Sequence, residues 1–258
     1  MSAPPLIEVR GLVTRFGKTV VHDGLDLEVR RGEVLGIVGG SGSGKSVLLN
    51  SILGLLVPAE GEIYFDGKAR SAFSSQDQLA LERRWGVLFQ YGALFSALSV
   101  RENVMAPMRE HLSMSRALME ELADLKISLA DLKPEAAAKL PSELSGGMRK
   151  RAALARSLAL DPDILFLDEP TAGLDPIAAG NFDTLIKQLS QTLDLTVVMI
   201  THDLDTLHAI CDRVAVIAEK RVVANAPLAE LTQNPHPWIQ EYFGGPRGRA
   251  ALRTGAGE

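Results

Sequence analysis

Cysteine is almost missing from this chain. Its 258 residues contain one, Cys211. That excludes an internal disulfide and fits a reducing compartment. Cys211 stands among apolar residues and is expected in the core. A basic excess is missing as well. Lys and Arg number 27 against 32 Asp and Glu, a net charge of −5. Broad nucleic-acid binding needs a basic face, so the composition argues against it. The basic trio Arg149-Lys150-Arg151 reads as the solvated face of a helix. No run approaches the ~18 apolar residues that span a bilayer, and residues 1–20 hold no apolar signal core. The sequence therefore predicts a soluble chain that can still dock on a membrane protein. It has no internal repeats and no coiled-coil heptads. What remains is an ordinary globular composition, 46% apolar and 23% charged. About three quarters of the unfolded surface can be buried at this length, which suits one two-lobed domain.

The strongest signal present is Gly39-Gly40-Ser41-Gly42-Ser43-Gly44-Lys45-Ser46. It fits G-x-x-x-x-G-K-[ST], the phosphate-binding loop of nucleotide hydrolases. Residues 33–38 before it read as a buried strand. Residues 47–53 after it carry apolar side chains at helical spacing. Glycines let the backbone turn tightly and aim several N–H groups at one anion. A helix starting near Lys45 adds about half a positive charge at its N-terminus. Lys45 is expected to reach the β- and γ-phosphates, and Ser46 Oγ to ligate Mg²⁺. A plain Gly/Ser-rich surface loop would need neither the strand before it nor the helix after it.

The rest of the chain alternates strands and helices. Residues 6–12 and 25–29 read as antiparallel strands. Phe16, between them, either stacks on a nucleotide base or packs in the turn. Pro58 is expected to stop the first helix. Residues 62–65 run into an Asp66-Gly67 hairpin turn, and 68–82 read as a surface connection. Residues 85–89 form a strand ending at Gln90. Ser99 and Glu102 have capping-box spacing. Helical patterning follows through 116–125 and 135–140, so the middle section looks all-helical. Ser145-Gly146-Gly147 opens a helix expected to run to Leu160, with Asp161-Pro162 ending it. Residues 164–167 form an apolar strand that delivers Asp168 and Glu169. Asp175-Pro176 reads as the cap and first turn of a further helix. Residues 196–200 make a buried strand leading straight into Thr201-His202-Asp203. The last strands are 214–217 and 221–224. The tail from Pro246 is Gly/Arg/Ala-rich and reads as mobile or as a partner contact.

Polar groups thus stand at four strand ends: Lys45 with Ser46, Gln90, Asp168 with Glu169, and His202. In open α/β sheets the ligand binds at the carboxyl ends of the strands. Asp168 is the expected second Mg²⁺ anchor. Glu169 is placed to polarise a water for in-line attack on a γ-phosphate, help worth about 10²–10⁴ in rate; the alternative is a cap on the turn before Pro170. His202 either holds γ-phosphate and water in register or is structural. Gln90 is a candidate ligand of Mg²⁺ or of the water. Ser145, Gly146 and Gly147 precede a helix and form a second anion site. The chain has a single phosphate loop, so this second site needs a γ-phosphate from elsewhere. A second copy is the simplest source: in a head-to-tail dimer each Ser145 would close on the other chain's nucleotide.

Together these motifs resemble an ATP-binding cassette (ABC) ATPase over about residues 6–230, with order and spacing in agreement. The resemblance implies an α/β P-loop cassette with a RecA-like nucleotide lobe, an antiparallel β subdomain and an inserted helical subdomain. The ATPase domain would span 1–245, its helical subdomain about 91–157, and a tail 246–258. ATP and Mg²⁺ are the implied cofactors. Phe16 would stack on adenine, Gln90 would lie in the Q-loop, and Asp175 at a dimer seam. The stretch 91–100 matches the region that receives a permease's coupling helix. Leu94 and Phe95 suit that role or form a small satellite core. Two departures stand out: Phe16 replaces the usual Tyr, and Met148 replaces the common signature Gln. Residues 148–156, 87–95, 170–177 and 237–243 are similar to one subgroup, the ATPases of bacterial Mla-type (toluene-tolerance, MCE-associated) phospholipid transporters. That similarity implies a homodimer on the cytoplasmic side of the inner membrane, peripheral to it. It further implies an integral membrane permease, an MCE-domain subunit and a small STAS-domain subunit, with no nucleic acid. The system would maintain outer-membrane lipid asymmetry. The alternatives are a cassette for another substrate and a non-transport cassette. The latter usually carries long coiled coils or two fused cassettes, and this chain has neither.

Overall fold

A computed structural model describes residues 4–245. The segment from Pro246 onward, read above as mobile or partner-contacting, lies outside the described residues. In chain order the elements are β1 (Ile7–Phe16), β2 (Thr19–Val29), β3 (Val34–Gly39), α1 (Lys45–Leu53), β4 (Glu60–Phe65), β5 (Lys68–Ala69) and α2 (Ser75–Glu82). Then come β6 (Trp85–Leu88), α3 (Val100–His111), α4 (Arg116–Leu129), α5 (Gly146–Ser157), β7 (Ile164–Asp168) and α6 (Pro176–Thr192). The chain continues with β8 (Thr196–Ile200), α7 (Leu204–Ile210), β9 (Arg213–Ala218), β10 (Arg221–Ala226), α8 (Leu228–Leu231) and α9 (Pro237–Gly244). These residues make two compact units. Of the described residues, one unit comprises those up to Gln78 and those from Val198; the other is Leu79–Val197.

In the first unit β1 and β2 pair antiparallel from Ile7↔Val29 to Phe16↔Thr19. With β4 and β5 they form a sheet ordered β2-β1-β4-β5. Asp66 (φ 51°) and Gly67 (φ 78°) are both left-handed in the β4–β5 turn, as a two-residue type I′ hairpin requires. Ile7, Val9, Leu25, Leu27 and Val29 are buried, so the alternation seen in the sequence faces one core. A second, parallel ladder runs from Leu35↔Arg213 to Gly39↔Ile217 between β3 and β9. Apart from Arg213 at the start of β9, both strands are apolar, as parallel strands covered on two faces are. Thr201 N–H donates to Ile37 O at 3.4 Å, so the end of β8 reaches β3. Val38, Val214 and Val216 pack with Leu207, Leu231, Ile239 and Phe243, and the half-buried Cys211 lies against this cluster. At the entry to β3, Glu33 and Arg213 form a buried ion pair at 3.1 Å. Glu33 also accepts the Arg30 amide at 2.7 Å. Such extra bonds are what make a buried pair tolerable.

Helix α1 stops at Leu53, before Pro58. Gly54 takes a left-handed conformation (φ 76°) and donates to Asn50 O and Ser51 O. A C-terminal Gly in that conformation closes a helix by itself, and the proline comes too late to matter. The stretch 68–82 is more ordered than a surface connection, because it contains β5 and α2.

In the second unit β6 and β7 pair in parallel from Trp85↔Ile164 to Leu88↔Leu167. Gly86 is required there: an added Cβ would lie 2.4 Å from Ser157 O, at the end of α5. Ala152, Ala153 and Ala155 are fully buried on α5, and their small size permits that approach. α3 opens with the full capping box, Ser99 and Glu102 bonding each other's amides. The helix expected over 135–140 is only a 3-10 turn, Pro134–Ala136. Ala137 O and Lys139 O instead accept the Arg101 and Val100 amides at the start of α3. α5 ends at Ser157, short of Leu160.

Candidate functional site

In the first unit the loop after β3 wraps back on itself and into α1. Gly42 (φ 78°) and Gly44 (φ 98°) occupy the left-handed region. A Cβ at Gly44 would meet His22 Nε2 at 2.4 Å and Val21 Cγ1 at 2.6 Å. At Gly42 it would meet nothing within 4 Å. The first α1 bond is Leu48 N–H to Gly44 O, 2.8 Å. The amides of Lys45, Ser46 and Val47 therefore have no acceptor within the helix. The N-cap, Gly44, has no side chain to cap them. Ser43 Oγ is buried without a hydrogen-bond partner. Lys45 Nζ donates to Gly39 O at 2.8 Å and to Gly40 O at 3.1 Å, so its ammonium lies over the loop. An uncapped helix start, an orphaned hydroxyl and an ammonium at one place fit the phosphates of a nucleotide.

Two supports hold this loop. His22 is buried beneath Gly44, with Nδ1 2.9 Å from Thr14 Oγ1. Burial pushes its imidazole down to about 4, opposed in part by the Gly44 backbone beside it. The second support is α9. A Cβ on Gly40 would lie 3.7 Å from Trp238 Nε1. Trp238 stacks on Tyr242 at 4.7 Å, and the Tyr242 hydroxyl donates to His202 O at 3.0 Å. One short helix thus touches both the loop and the His202 backbone. His202 is exposed just after β8. Phe16 ends β1 with 53% of its surface exposed.

In the second unit β7 ends at Asp168, and Glu169 follows in a left-handed conformation (φ 48°). Glu169 O accepts the Ala172 amide at 3.2 Å. The backbone therefore contributes a bond of its own to this turn. Ser145 is the N-cap of α5 and accepts the Met148 amide at 3.3 Å. Gly146 is exposed and Gly147 half-buried at the same helix start. Gln90 is exposed after β6. Asp175 caps α6 through Ala178 N at 3.0 Å, as its sequence position predicts. A cavity of about 390 Å³ is lined by Gln90, Gly146 and Lys150 among others.

The basic trio is the clearest departure from expectation. Arg149 bonds Leu144 O at 3.1 Å and Arg151 bonds Asp131 at 2.8 Å. Lys150 is buried. Its ammonium donates to Gln90 O and, at 3.0 Å, to Glu169 O. Burial pulls its pKa below the ordinary lysine value, opposed by the charges of Glu169 and Asp168. Helical spacing could have revealed this residue. Ala153, Leu154 and Ser157, at i+3, i+4 and i+7, are all buried on the same face.

A strand, a glycine loop and an uncapped helix of this geometry define a phosphate-loop nucleotide hydrolase. A family model described as ABC transporter matches residues 22–172. The chain is 41% identical over 240 residues to the intermembrane phospholipid transport system ATP-binding protein MlaF of Haemophilus influenzae, covering 93% of this chain and 90% of the relative. It is 36% identical over 241 residues to a probable ribonucleotide transport ATP-binding protein of Mycobacterium leprae, covering 93% and 69%. Among solved structures it is similar to a dimeric post-hydrolysis cassette bound to ADP and Pi, with TM-score 0.78 and 30% identity, over 86% of this chain and 98% of that one. The chain belongs to the ABC transporter family and is an ATPase of the cassette type.

Proposed function

We propose that this chain is the ATP-hydrolysing subunit of a bacterial transporter that moves phospholipids between the inner and outer membranes. The observation that carries this reading is the 41% identity, across nine tenths of both chains, to a phospholipid transport ATPase. No helix among the described residues is long and apolar enough to cross a membrane, which agrees with a peripheral subunit on the cytoplasmic face of the inner membrane. The ATPase domain spans 1–245 with a helical part over about 91–157. The partners are a second copy of the chain, an integral permease, an MCE-domain subunit and a small STAS-domain subunit.

Within this reading residues 39–46 hold the ATP phosphates and Phe16 stacks on adenine. Ser46, Asp168 and Gln90 would hold Mg²⁺, which would neutralise phosphate charge. Glu169 accepts a proton from water as its oxygen attacks the γ-phosphorus. The bond to the β–γ bridging oxygen breaks, and ADP and phosphate leave. His202 keeps water and γ-phosphate in line. Ser145, Gly146 and Gly147 close on the nucleotide of the second copy, so turnover requires dimer closure. Exposed Tyr91 and Phe95, with half-buried Leu94, form the contact for the permease.

The test is a pull-down of the tagged chain from membranes in mild detergent, with proteins and lipids identified by mass spectrometry. A multi-span permease, an MCE-domain subunit and bound phospholipid are expected. The 36% identity to a probable ribonucleotide transport subunit favours a second reading, a cassette for another substrate. Recovery of a permease with a different substrate-binding subunit would establish that reading. Absence of any membrane partner would overturn both.

A further inference from the structure

Lys150 holds two carbonyls that belong to different parts of the proposed reaction. Gln90 O opens the loop that carries exposed Tyr91 and Phe95. Glu169 O belongs to the residue proposed to take the proton from water. Glu169 has φ 48°, a conformation strained for a residue with a side chain, which persists only where its surroundings hold it. The same helix fixes the rest of the loop. Arg156 donates to Gly92 O at 2.8 Å and to Ala93 O at 2.5 Å. A Cβ on Gly92 would sit 3.3 Å from Ala153 Cβ, so the loop lies directly on α5.

We propose that Lys150 is a positioning residue for hydrolysis: it ties the backbone of Glu169 to that of Gln90, so that the loop at 90–95 sets where the Glu169 carboxylate stands. An ammonium suits the task. It carries three N–H donors on a flexible stem and serves two carbonyls from different segments at once. A methionine would fill the space and make neither bond. A shift of the loop then reaches Glu169 through one side chain, beyond the last pair of the β6–β7 ladder at Leu88↔Leu167. This inference rests on the reading of Glu169 as the group that receives the proton. It adds a residue that touches neither water nor nucleotide.

The experiment compares wild type, Lys150→Met, Lys150→Arg and Glu169→Gln as purified full-length chains. Lys150→Met is expected to lower kcat for ATP by about 10²-fold, as a misplacement near 1 Å does. KM for ATP and the binding of a non-hydrolysable ATP analogue should stay within about threefold, because the phosphate loop is untouched. Lys150→Arg keeps the donors and should recover most of kcat. Hydrogen exchange gives a second readout. Lys150→Met should loosen the peptides around Gln90 and Glu169 together, whereas Arg156→Met should loosen only the first. If Lys150→Met folds and turns over at the wild-type rate while Glu169→Gln is inactive, the inference is overturned and the role of Glu169 stands. If kcat falls only in step with the fraction of chains that bind the analogue, Lys150 is merely structural and the inference is again overturned. If Glu169→Gln turns over normally, the reading beneath the inference fails.

Discussion

Asn103 offers a quantitative test of how the loop before α3 is held. It is fully buried, and every polar atom of its side chain is used. Oδ1 accepts the Phe95 amide at 2.7 Å. Nδ2 lies 3.1 Å from Phe95 O, 3.0 Å from Leu98 O and 3.0 Å from Ser99 O. An amide NH₂ has two hydrogens, so the three carbonyls share two donors. Three effective bonds remain. At about 1 kcal/mol net each, Asn103→Ala should cost about 3 kcal/mol. The Phe95 side chain is exposed, so water can reach its amide once the loop opens, and no full penalty for a buried unpaired group is added. The cost therefore falls on the loop. Local opening should become easier by that amount, about 10²-fold faster exchange of the Phe95 amide. Hydrogen exchange under native conditions measures it directly. Asn103→Asp keeps the acceptor but turns a carboxylate toward three carbonyls, and it should open the loop as well. An increase below about threefold in Asn103→Ala would refute the reasoning.

Three further outcomes are expected. Gly44→Ala forces a side chain to φ 98° and places Cβ 2.4 Å from His22 Nε2; strain and overpacking of roughly 2–4 kcal/mol should shift the start of α1, and calorimetry should show at least tenfold weaker binding of an ATP analogue. The imidazole of His22 is held down to about 4 against an ordinary 6.5, so the unfolded chain binds the extra proton between those values and stability falls as pH drops from about 6.5 to about 4; His22→Gln should flatten that part of a melting-temperature profile. Glu169→Gln should lower ATP turnover by about 10²–10⁴ while ATP binding persists, and gel filtration with ATP should then show an accumulated dimer.

Much of this molecule was legible because its signals are local. The phosphate loop, the Ser99–Glu102 capping box and the Asp175-Pro176 helix start each rest on bonds within a few residues, and all three take the expected form. The misreadings share a different cause. Residues 135–140 carry helical patterning, yet two of their carbonyls accept amides of α3 more than thirty residues earlier. Those long-range bonds hold the segment against the start of α3, and it stops at a single 3-10 turn. Lys150 belongs to the same class. Its face on α5 could be read from spacing, but its partners are main-chain oxygens at 90 and 169, which no side-chain pattern records. The end of α1 is the opposite lesson. Gly54 and Pro58 both signal a stop, and the nearer residue acts because a left-handed glycine satisfies the last carbonyls at once.

The helix starts differ in a way that bears on the two proposed phosphate contacts, at α1 and at α5. Ser99, Ser115, Asp175 and Asp203 each give a side-chain oxygen to a first-turn amide. α9 removes one donor with Pro237. α1 has neither device: its N-cap is Gly44, which has no side chain to give, and a helix start of that kind suits an external anion. α5 lies between these cases. Ser145 caps it, but the hydroxyl accepts from Met148 and keeps its own hydrogen for donation. It can therefore serve its helix and a phosphate oxygen together. An aspartate would cap as well, yet it has no hydrogen to give and would repel the phosphate. Gly146 follows with an exposed backbone, and a Cβ there would meet nothing within 4 Å. In the proposed dimer this site would form only when the second copy brings its phosphate, so it would have to be stable while empty, and a serine cap supplies that stability. The phosphate loop of α1 has no such cap, and Lys45 rests on the carbonyls of Gly39 and Gly40 in its place.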